Sequence, residues 1–285
     1  MALSQPRLTD EITLVGTGFG GPEEDWREQR GRVPTWVKIA LLRLLVVVAF
    51  LIFWQLASGT LIRPFFISSP LAIAERLVRW VTTNYIFFHI WITVQEMIAG
   101  LALGALVGIA LGFLFGRNEA IASVFSPFIA AIYSIPKLAL APLFILWFGI
   151  GLESKIVYTA IVVFFLVFYN TYAGVRDVNP LFVNVVTLMG ASRRQVLTKV
   201  VLPSASAWIF AGLKLAVPYA LVGAVVAELL SSNKGLGSIL SQAQATLDTT
   251  SMFAGLICLM VIALLVNEVV DRLERHALRW KHISK

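Results

Sequence analysis

The sequence predicts an all-α protein, a polytopic helical membrane protein with six transmembrane helices. Composition is the first observation behind this fold class, since 58% of the residues are hydrophobic, only 14% are charged, and the mean hydropathy is +0.83. A soluble domain carries about 25% charged residues. The second observation is the recurrence of apolar runs that are long enough to cross about 30 Å of hydrocarbon. A helix suits this environment because it forms all its backbone hydrogen bonds internally.

The apolar runs divide the chain into a transmembrane region between two polar tails. Residues 1–35 are predicted to form a cytoplasmic tail, residues 36–273 hold the spans, and residues 274–285 form a second, basic cytoplasmic tail. Uninterrupted spans are expected at residues 36–57, 86–115, 154–175, 204–230 and 252–271. A further, broken span starts near Ile121. Between the first two spans, residues 71–81 are amphipathic and are expected to lie at the outer interface.

The distribution of basic residues predicts the orientation. With the amino terminus inside, fourteen Lys and Arg residues in tails, loops or span ends fall on the inner side. Six fall on the outer side: Arg63, Arg76, Arg79, Lys137, Lys155 and Lys234. Cytoplasmic segments of membrane proteins carry such an excess. Both termini and the 181–203 segment are therefore expected in the cytoplasm.

The second span carries glycines at a strict spacing of four residues: Gly100, Gly104, Gly108, Gly112 and Gly116. This spacing places them on one helical face, where a second helix can approach closely. They are predicted to mediate tight helix packing, within the chain or with a neighbouring subunit.

Two prolines predict a break in the third span. Pro136 and Pro142 flank Lys137, and proline removes a backbone donor and clashes with the preceding turn. Irregular backbone at membrane depth is tolerated where it is covered by protein or lines a wet cavity. Residues 133–151, including Tyr133, are therefore predicted to lie near a translocation path, with Lys137 able to attract an anion. The alternative is an outer loop that dips slightly into the membrane.

Ionisable residues inside spans are costly and so are functional candidates. Glu96 and Glu228 are expected near the outer ends of their spans, where a carboxylate reaches water cheaply, and they are candidates for the translocation path. Lys214 and Glu268 lie nearer the inner face. For all four residues, packing or pairing between spans is the alternative to contact with a solute or gate.

The 181–203 segment is a polar, cationic insertion between two long apolar runs. Residues 181–189 are predicted to form a short helix that Gly190 ends, and Ser192 is a candidate N-cap for a second helix running toward Pro203. A new apolar run begins at Pro203. A helix, a glycine turn and a second helix between two spans form a compact unit that another protein can grip.

The spacing within this segment resembles a known signature. Gly190, nine further residues and then Val200, Val201, Leu202 and Pro203 resemble the G-x9-I-x-L-P core of the EAA signature of ABC importer permeases. Where that family has Glu-Ala-Ala, this chain has Asn184, Val185 and Val186. Three further stretches resemble the permeases for nitrate, sulfonate, taurine and bicarbonate: residues 136–151 (PKLALAPLFILWFGIG), 190–195 (GASRRQ) and 227–237 (AELLSSNKGLG).

The resemblance implies a type I ABC importer-like permease fold and a transport subunit of the bacterial inner membrane. It further implies two ABC ATPase subunits that bind the ATP and Mg²⁺, a second and identical permease copy, and a periplasmic binding protein delivering a small, anionic solute such as a sulfonate, taurine, nitrate or bicarbonate. The residues it implies for coupling to the ATPase are Leu181, Asn184, Val185, Val186, Met189, Gly190, Ala191, Arg193, Arg194, Leu202 and Pro203.

Other functions find little support in the residues. No G-x4-G-K-[ST] phosphate loop occurs, so this chain is not expected to hydrolyse ATP. A G-x-G-x-x-G match in the amino-terminal tail lacks the surrounding βαβ unit. No metal spacing and no nucleophile–base set occur in the spans, so neither a metal site nor an enzyme is expected. Basic residues cluster at span ends, which argues against nucleic acid. The remaining alternative is an ion-coupled secondary transporter that works without an ATPase.

Overall fold

The computed structural model describes residues 35–231 and 233–278, and these are helical almost throughout. The chain divides into two compact units, residues 1–53 and 54–285. In the first unit the described backbone is helix α1 (Thr35–Thr60) as far as Phe53. The predicted amino-terminal tail up to residue 34, with its G-x-G-x-x-G match, and the end of the carboxyl-terminal tail lie outside the described residues.

The second unit contains the end of α1 and the helices that follow it. They are α2 (Pro64–Ile67), α3 (Pro70–Thr82), α4 (Tyr85–Arg117), α5 (Glu119–Ser134), α6 (Lys137–Phe148), α7 (Leu152–Arg176), α8 (Pro180–Leu188), α9 (Arg193–Val196), a π-helical turn (Leu197–Val201), α10 (Leu202–Ser231), α11 (Leu236–Ala245) and α12 (Thr249–Ala277). Among the described residues, five continuous helical stretches are long and apolar enough to cross a membrane, and there are six such segments when the bent pair α5–α6 is counted as one broken span. The prediction of an all-helical protein with six spans is confirmed.

The glycine face of α4 lies against α7 along most of its length. A Cβ atom on Gly100 would meet Thr159, one on Gly108 would meet the carbonyl of Phe164, and one on Gly112 would meet Thr171 and the carbonyl of Phe168. Gly104 and Gly116 face the same helix. Because glycine has no side chain, the two backbones approach closely enough for extensive van der Waals contact. Helix α7 in turn packs along α10, so that α4, α7 and α10 form the centre of this unit.

The third span is broken at one proline rather than two. Helices α5 and α6 meet at an angle of 92°, with Ile135 extended and Pro136 as the N-cap of α6. The helical conformation is disfavoured for a residue that precedes proline, because the proline ring clashes with its backbone and Cβ. This explains the break at Ile135. Pro142, predicted to contribute to the break, lies inside the continuous helix α6, so this part of the prediction was wrong.

The segment 193–231 is one continuous helical stretch, which corrects the prediction that Pro203 marks where the fifth span restarts. Helix α9 leads through the π-helical turn into α10, and Pro203 is the second residue of α10. In the π-helical turn the Leu202 N–H bonds to the carbonyl of Leu197, five residues back. Such local rearrangements of the hydrogen-bond ladder accommodate a proline ring inside a helix.

Candidate functional site

Helix α8 has defined signals at both ends. Its first residue is Pro180, and the side chain of Asn179 accepts a hydrogen bond from the Leu181 N–H at 2.9 Å. At the other end Gly190 has φ +83°, a left-handed conformation that favours glycine. The Gly190 N–H bonds to the Thr187 carbonyl at 3.0 Å and the Ala191 N–H to the Val186 carbonyl at 3.2 Å, the pattern of a Schellman motif. The predicted helix and its glycine stop are confirmed.

One side of α8 is apolar and uncovered. The exposed apolar side chains on it and just beyond it are Leu181, Phe182, Val185, Leu188 and Met189. Leu188 is 88% exposed and Met189 is 81% exposed, high values for such residues. The opposite side, through Val183 and Val186, packs against a small core around Val175, Val196 and Val201. Helix α8 is therefore fixed to its own chain on one face and presents an apolar surface on the other.

Two exposed cations follow the turn after α8. Ser192 and Gln195 form a capping box at the start of α9, as predicted from Ser192. Arg193 and Arg194 are exposed, and the described residues supply no carboxylate that pairs with either of them. Asn184 is likewise exposed on α8. The 181–203 segment thus presents an apolar surface beside a cationic rim.

The elbow between α5 and α6 carries Lys137 among aromatic rings. Its Nζ donates to the Tyr133 carbonyl at 3.0 Å and lies 4.1 Å from the centre of the Tyr133 ring and 5.3 Å from that of Phe165. Tyr133 also stacks edge-on against Tyr169 of α7, with ring centres 5.2 Å apart. The break in the span therefore brings one ammonium group and three aromatic rings together.

Glu96 and Glu228 are buried rather than exposed at the outer ends of their spans, contrary to the prediction. Glu96 is 1% exposed and its Oε1 accepts from Lys155 Nζ at 2.6 Å. Glu228 is fully buried and accepts from the Thr93 hydroxyl at 2.7 Å and from the Gly237 N–H at 2.6 Å. Burial of a charge requires such partners. Since Thr93 lies one helical turn before Glu96, both carboxylates belong to one buried polar cluster.

The loop between α10 and α11 wraps around Glu228. Gly235 has φ +94°, and a Cβ atom there would collide with the Glu228 carboxylate. The Gly235 carbonyl contacts His89 Nδ1 at 3.0 Å, and the Leu236 N–H donates to Thr93 Oγ1 at 2.8 Å. Sequence reasoning missed Thr93 and treated Lys155 as an outer basic residue. The sequence signal for this arrangement is the Gly-Leu-Gly turn at residues 235–237, which follows Glu228.

The other two intramembrane charges form ion pairs. Lys214 of α10 pairs with Asp271 of α12 at 2.8 Å and with Glu274. Glu268 bonds to Arg272 at 2.8 Å and to Arg275 at 3.2 Å on its own helix. Within the described part of the chain, no three His, Cys, Asp or Glu residues are grouped as a metal site would require.

Together these features define a class of protein: a multi-pass helical membrane protein with a short helix between two of its spans that exposes an apolar face. A family model described as "Binding-protein-dependent transport system inner membrane component" matches residues 100–279. The chain belongs to this family. It is the permease component of an ABC importer, and its family is one of transport permeases rather than enzymes.

Curated relatives cover most of the chain. The formylaminopyrimidine transport permease protein ThiX of Halalkalibacterium halodurans is 32% identical over 81% of this chain and 92% of its own length. The putative aliphatic sulfonates transport permease protein SsuC of Bacillus subtilis is 32% identical over 87% of this chain and 88% of its own. The taurine transport system permease protein TauC of Escherichia coli is 30% identical over 90% and 93%.

Solved structures share the fold. A chain of the MetNI methionine ABC transporter in an inward-facing conformation superposes with a TM-score of 0.60 at 20% identity, covering 68% of this chain and 98% of that one. A bacterial ABC transporter that imports alginate gives a TM-score of 0.60 at 16% identity, covering 92% and 100%. The predicted type I importer-like permease fold is confirmed.

Proposed function

We propose that α8 is the element through which an ATPase subunit drives this permease. The observation that carries the proposal is the exposed apolar face of α8, which is held to the chain only on its other side. An apolar helix face of this kind binds in a hydrophobic groove of a partner, with large side chains as anchors. Arg193 and Arg194 border the same surface and suit carboxylates at the rim of that groove.

The continuous helical stretch 193–231 supports a lever mechanism. At 1.5 Å per residue its 39 residues extend about 58 Å, enough to cross the whole bilayer. Movement of the 181–203 segment is passed along this stretch as a rigid element to Glu228, where it is bonded to α4 and to the first turn of α11. Closure of the ATPase pair around ATP would thus rotate spans and open the path.

The complete importer consists, in this proposal, of two identical permease chains, two ATPase subunits and one external binding protein. The ATPase subunits bind the ATP and Mg²⁺. The 181–203 segment and both termini lie in the cytoplasm of a bacterial cell, and residues 58–84 and 231–251 form the outer surface that receives the binding protein. Family membership supports these partners and favours an ATP-driven mechanism over the ion-coupled transporter.

The solute is proposed to be small and anionic, such as a sulfonate, taurine, nitrate or bicarbonate. Two of the relatives above are named for aliphatic sulfonates and for taurine. Lys137 at the elbow supplies a cation beside the path. Its contacts within the described residues are with the Tyr133 carbonyl and with aromatic rings, and they include no carboxylate. Pro136 positions Lys137 by setting the bend between α5 and α6. Glu96 and Lys155 line a cavity of about 450 Å³, and in this proposal the cavity lies on the same path.

The proposal is tested by changing one anchor of α8. Leu188→Asp introduces a charge that a hydrophobic groove can bury only at a cost of several kcal/mol. In affinity-purified permease from native membranes, we expect Leu188→Asp to lower the co-purifying ATP hydrolysis at least tenfold. Leu188→Met, which keeps an apolar anchor, should retain it.

Insertion into the membrane serves as the control, since Leu188 is 88% exposed and supports no packing. Both variants should accumulate in the membrane as the wild type does. Wild-type permease that carries no ATP hydrolysis, or a Leu188→Asp variant that carries as much as the wild type, would contradict docking through α8.

A further inference from the structure

A cavity of about 550 Å³ lies at the ends of two spans and is lined mostly by residues of the two segments 58–84 and 231–251 that are proposed above to form the outer surface. Its walls come from α3, from Tyr85 at the start of α4, from α11 and from Asp248 at the start of α12. Helices α4 and α12 are both candidate membrane spans that begin at this cavity. The cavity is therefore at the level where hydrocarbon gives way to lipid headgroups.

Helix α3 supports the same placement. Leu71, Val78 and Val81 form an exposed apolar stripe on it, while Ile73 and Trp80 are buried on the side that faces the protein. A helix with one uncovered apolar stripe and a charged flank lies in the plane of the membrane interface. Trp80 and Tyr85, which line the cavity, are residue types enriched at that depth.

The charge of the cavity is positive. Arg76 is neutralised by Asp248, with Nη1 and Oδ2 at 2.7 Å, and also donates to Ser251. Arg79 is exposed, and in residues 35–231 and 233–278 no group forms an ion pair or a side-chain hydrogen bond with its guanidinium. Glu75, on the same helix, does not line the cavity. Among the described residues, the guanidinium of Arg79 thus remains without an ion-pair partner at the membrane boundary.

We propose that this cavity binds the phosphate group of a phospholipid. A guanidinium binds a phosphate through two parallel hydrogen bonds, which suits Arg79. The Gln242 amide and the hydroxyls of Thr83 and Thr246 also line the cavity and can bond the polar part of a headgroup. The exposed stripe of α3 offers an apolar surface to the acyl chains. The proposal goes beyond the transport function and does not depend on the solute or on the ATPase.

The test is a native mass spectrometry titration of the detergent-purified full chain. Phosphatidylglycerol is compared with a diacylglycerol of the same acyl chains, which lacks the phosphate, and with inorganic phosphate alone. We expect phosphatidylglycerol to bind at least tenfold more tightly than diacylglycerol. Arg79→Gln should weaken phosphatidylglycerol binding about tenfold, and Arg79→Lys, which keeps the charge, should weaken it less.

The control variant is Arg63→Gln, which removes another exposed arginine outside the cavity and should leave the affinity unchanged. Equal affinity of wild type and Arg79→Gln for phosphatidylglycerol would overturn the proposal, as would equal binding of diacylglycerol. Full competition by millimolar inorganic phosphate would assign the cavity to a free anion instead. If Arg79→Gln impaired only the docking of a binding protein, the cavity would belong to a protein partner.

Discussion

The packing of α4 on α7 allows a quantitative prediction at Gly112. A Cβ atom there would lie 2.7 Å from Thr171 Cβ and 2.9 Å from the Phe168 carbonyl oxygen. Neither atom can rotate away, because the Thr171 Cβ is bonded directly to the backbone and the Phe168 oxygen is part of it. Restoring ordinary contact at about 3.4 Å would require the helices to separate locally by about 0.5–0.7 Å.

Two substitutions at Gly112 should differ in their effect. Adding side-chain volume to a packed interface costs about 1–3 kcal/mol, whereas replacing a mid-helix glycine gains about 1 kcal/mol of helix propensity. For Gly112→Ala the two terms largely cancel. For Gly112→Leu the packing cost is at the upper end, so the net loss should be about 2 kcal/mol, or roughly 4–8 °C in Tm.

Thermal unfolding of the purified chain in detergent measures the difference. Gly151→Ala is the matched control, because a Cβ atom at Gly151 meets nothing within 4 Å and its φ of −153° suits any residue. It should leave Tm unchanged. A Gly112→Leu variant that unfolds within 1 °C of the wild type would refute the claim that the absence of side chains sets the α4–α7 distance.

Two further predictions concern Lys137 and Asp248. In proteoliposomes with the complete importer, Lys137→Gln should lower uptake of an aliphatic sulfonate about tenfold while Lys137→Arg largely preserves it; equal uptake by all three proteins would remove this ammonium group from the path. Burial opposes ionisation of Asp248, but the Ser251 N–H and the Arg76 guanidinium outweigh it and hold the pKa of Asp248 below its ordinary value. A lowered folded pKa adds stability above the unfolded value of about 3.9 that is lost as pH falls through the folded pKa. The difference in unfolding free energy between wild type and Asp248→Asn, up to about 1 kcal/mol for a partly exposed pair and followed through Tm, should stay constant from pH 8 to 5 and shrink below about pH 4; a difference that already disappears near pH 6 would contradict this assignment.

Local signals in the sequence were sufficient for the spans and for the 181–203 segment. Hydrophobic runs of span length have few alternatives in a bilayer, so the helices at 85–117 and 249–277 follow from composition alone. Gly190 and Ser192 act on the backbone within a few residues, and both end or start a helix where the sequence indicates. The four-residue glycine spacing likewise indicates close approach of a second helix.

Properties that depend on distant residues required the tertiary structure. Glu96 and Glu228 lie near span ends in the sequence, but each is bonded by groups of other helices, Glu96 by Lys155 and Glu228 by Thr93 and Gly237, and these bonds allow the bundle to bury both carboxylates. The sequence could not show which helix the glycines contact. The cavity beside Arg79 is likewise formed by segments more than 150 residues apart. The physical reason is the range of the interactions: hydropathy and capping act within one helix, whereas pairing of buried charges and the shape of a cavity depend on how helices pack against each other.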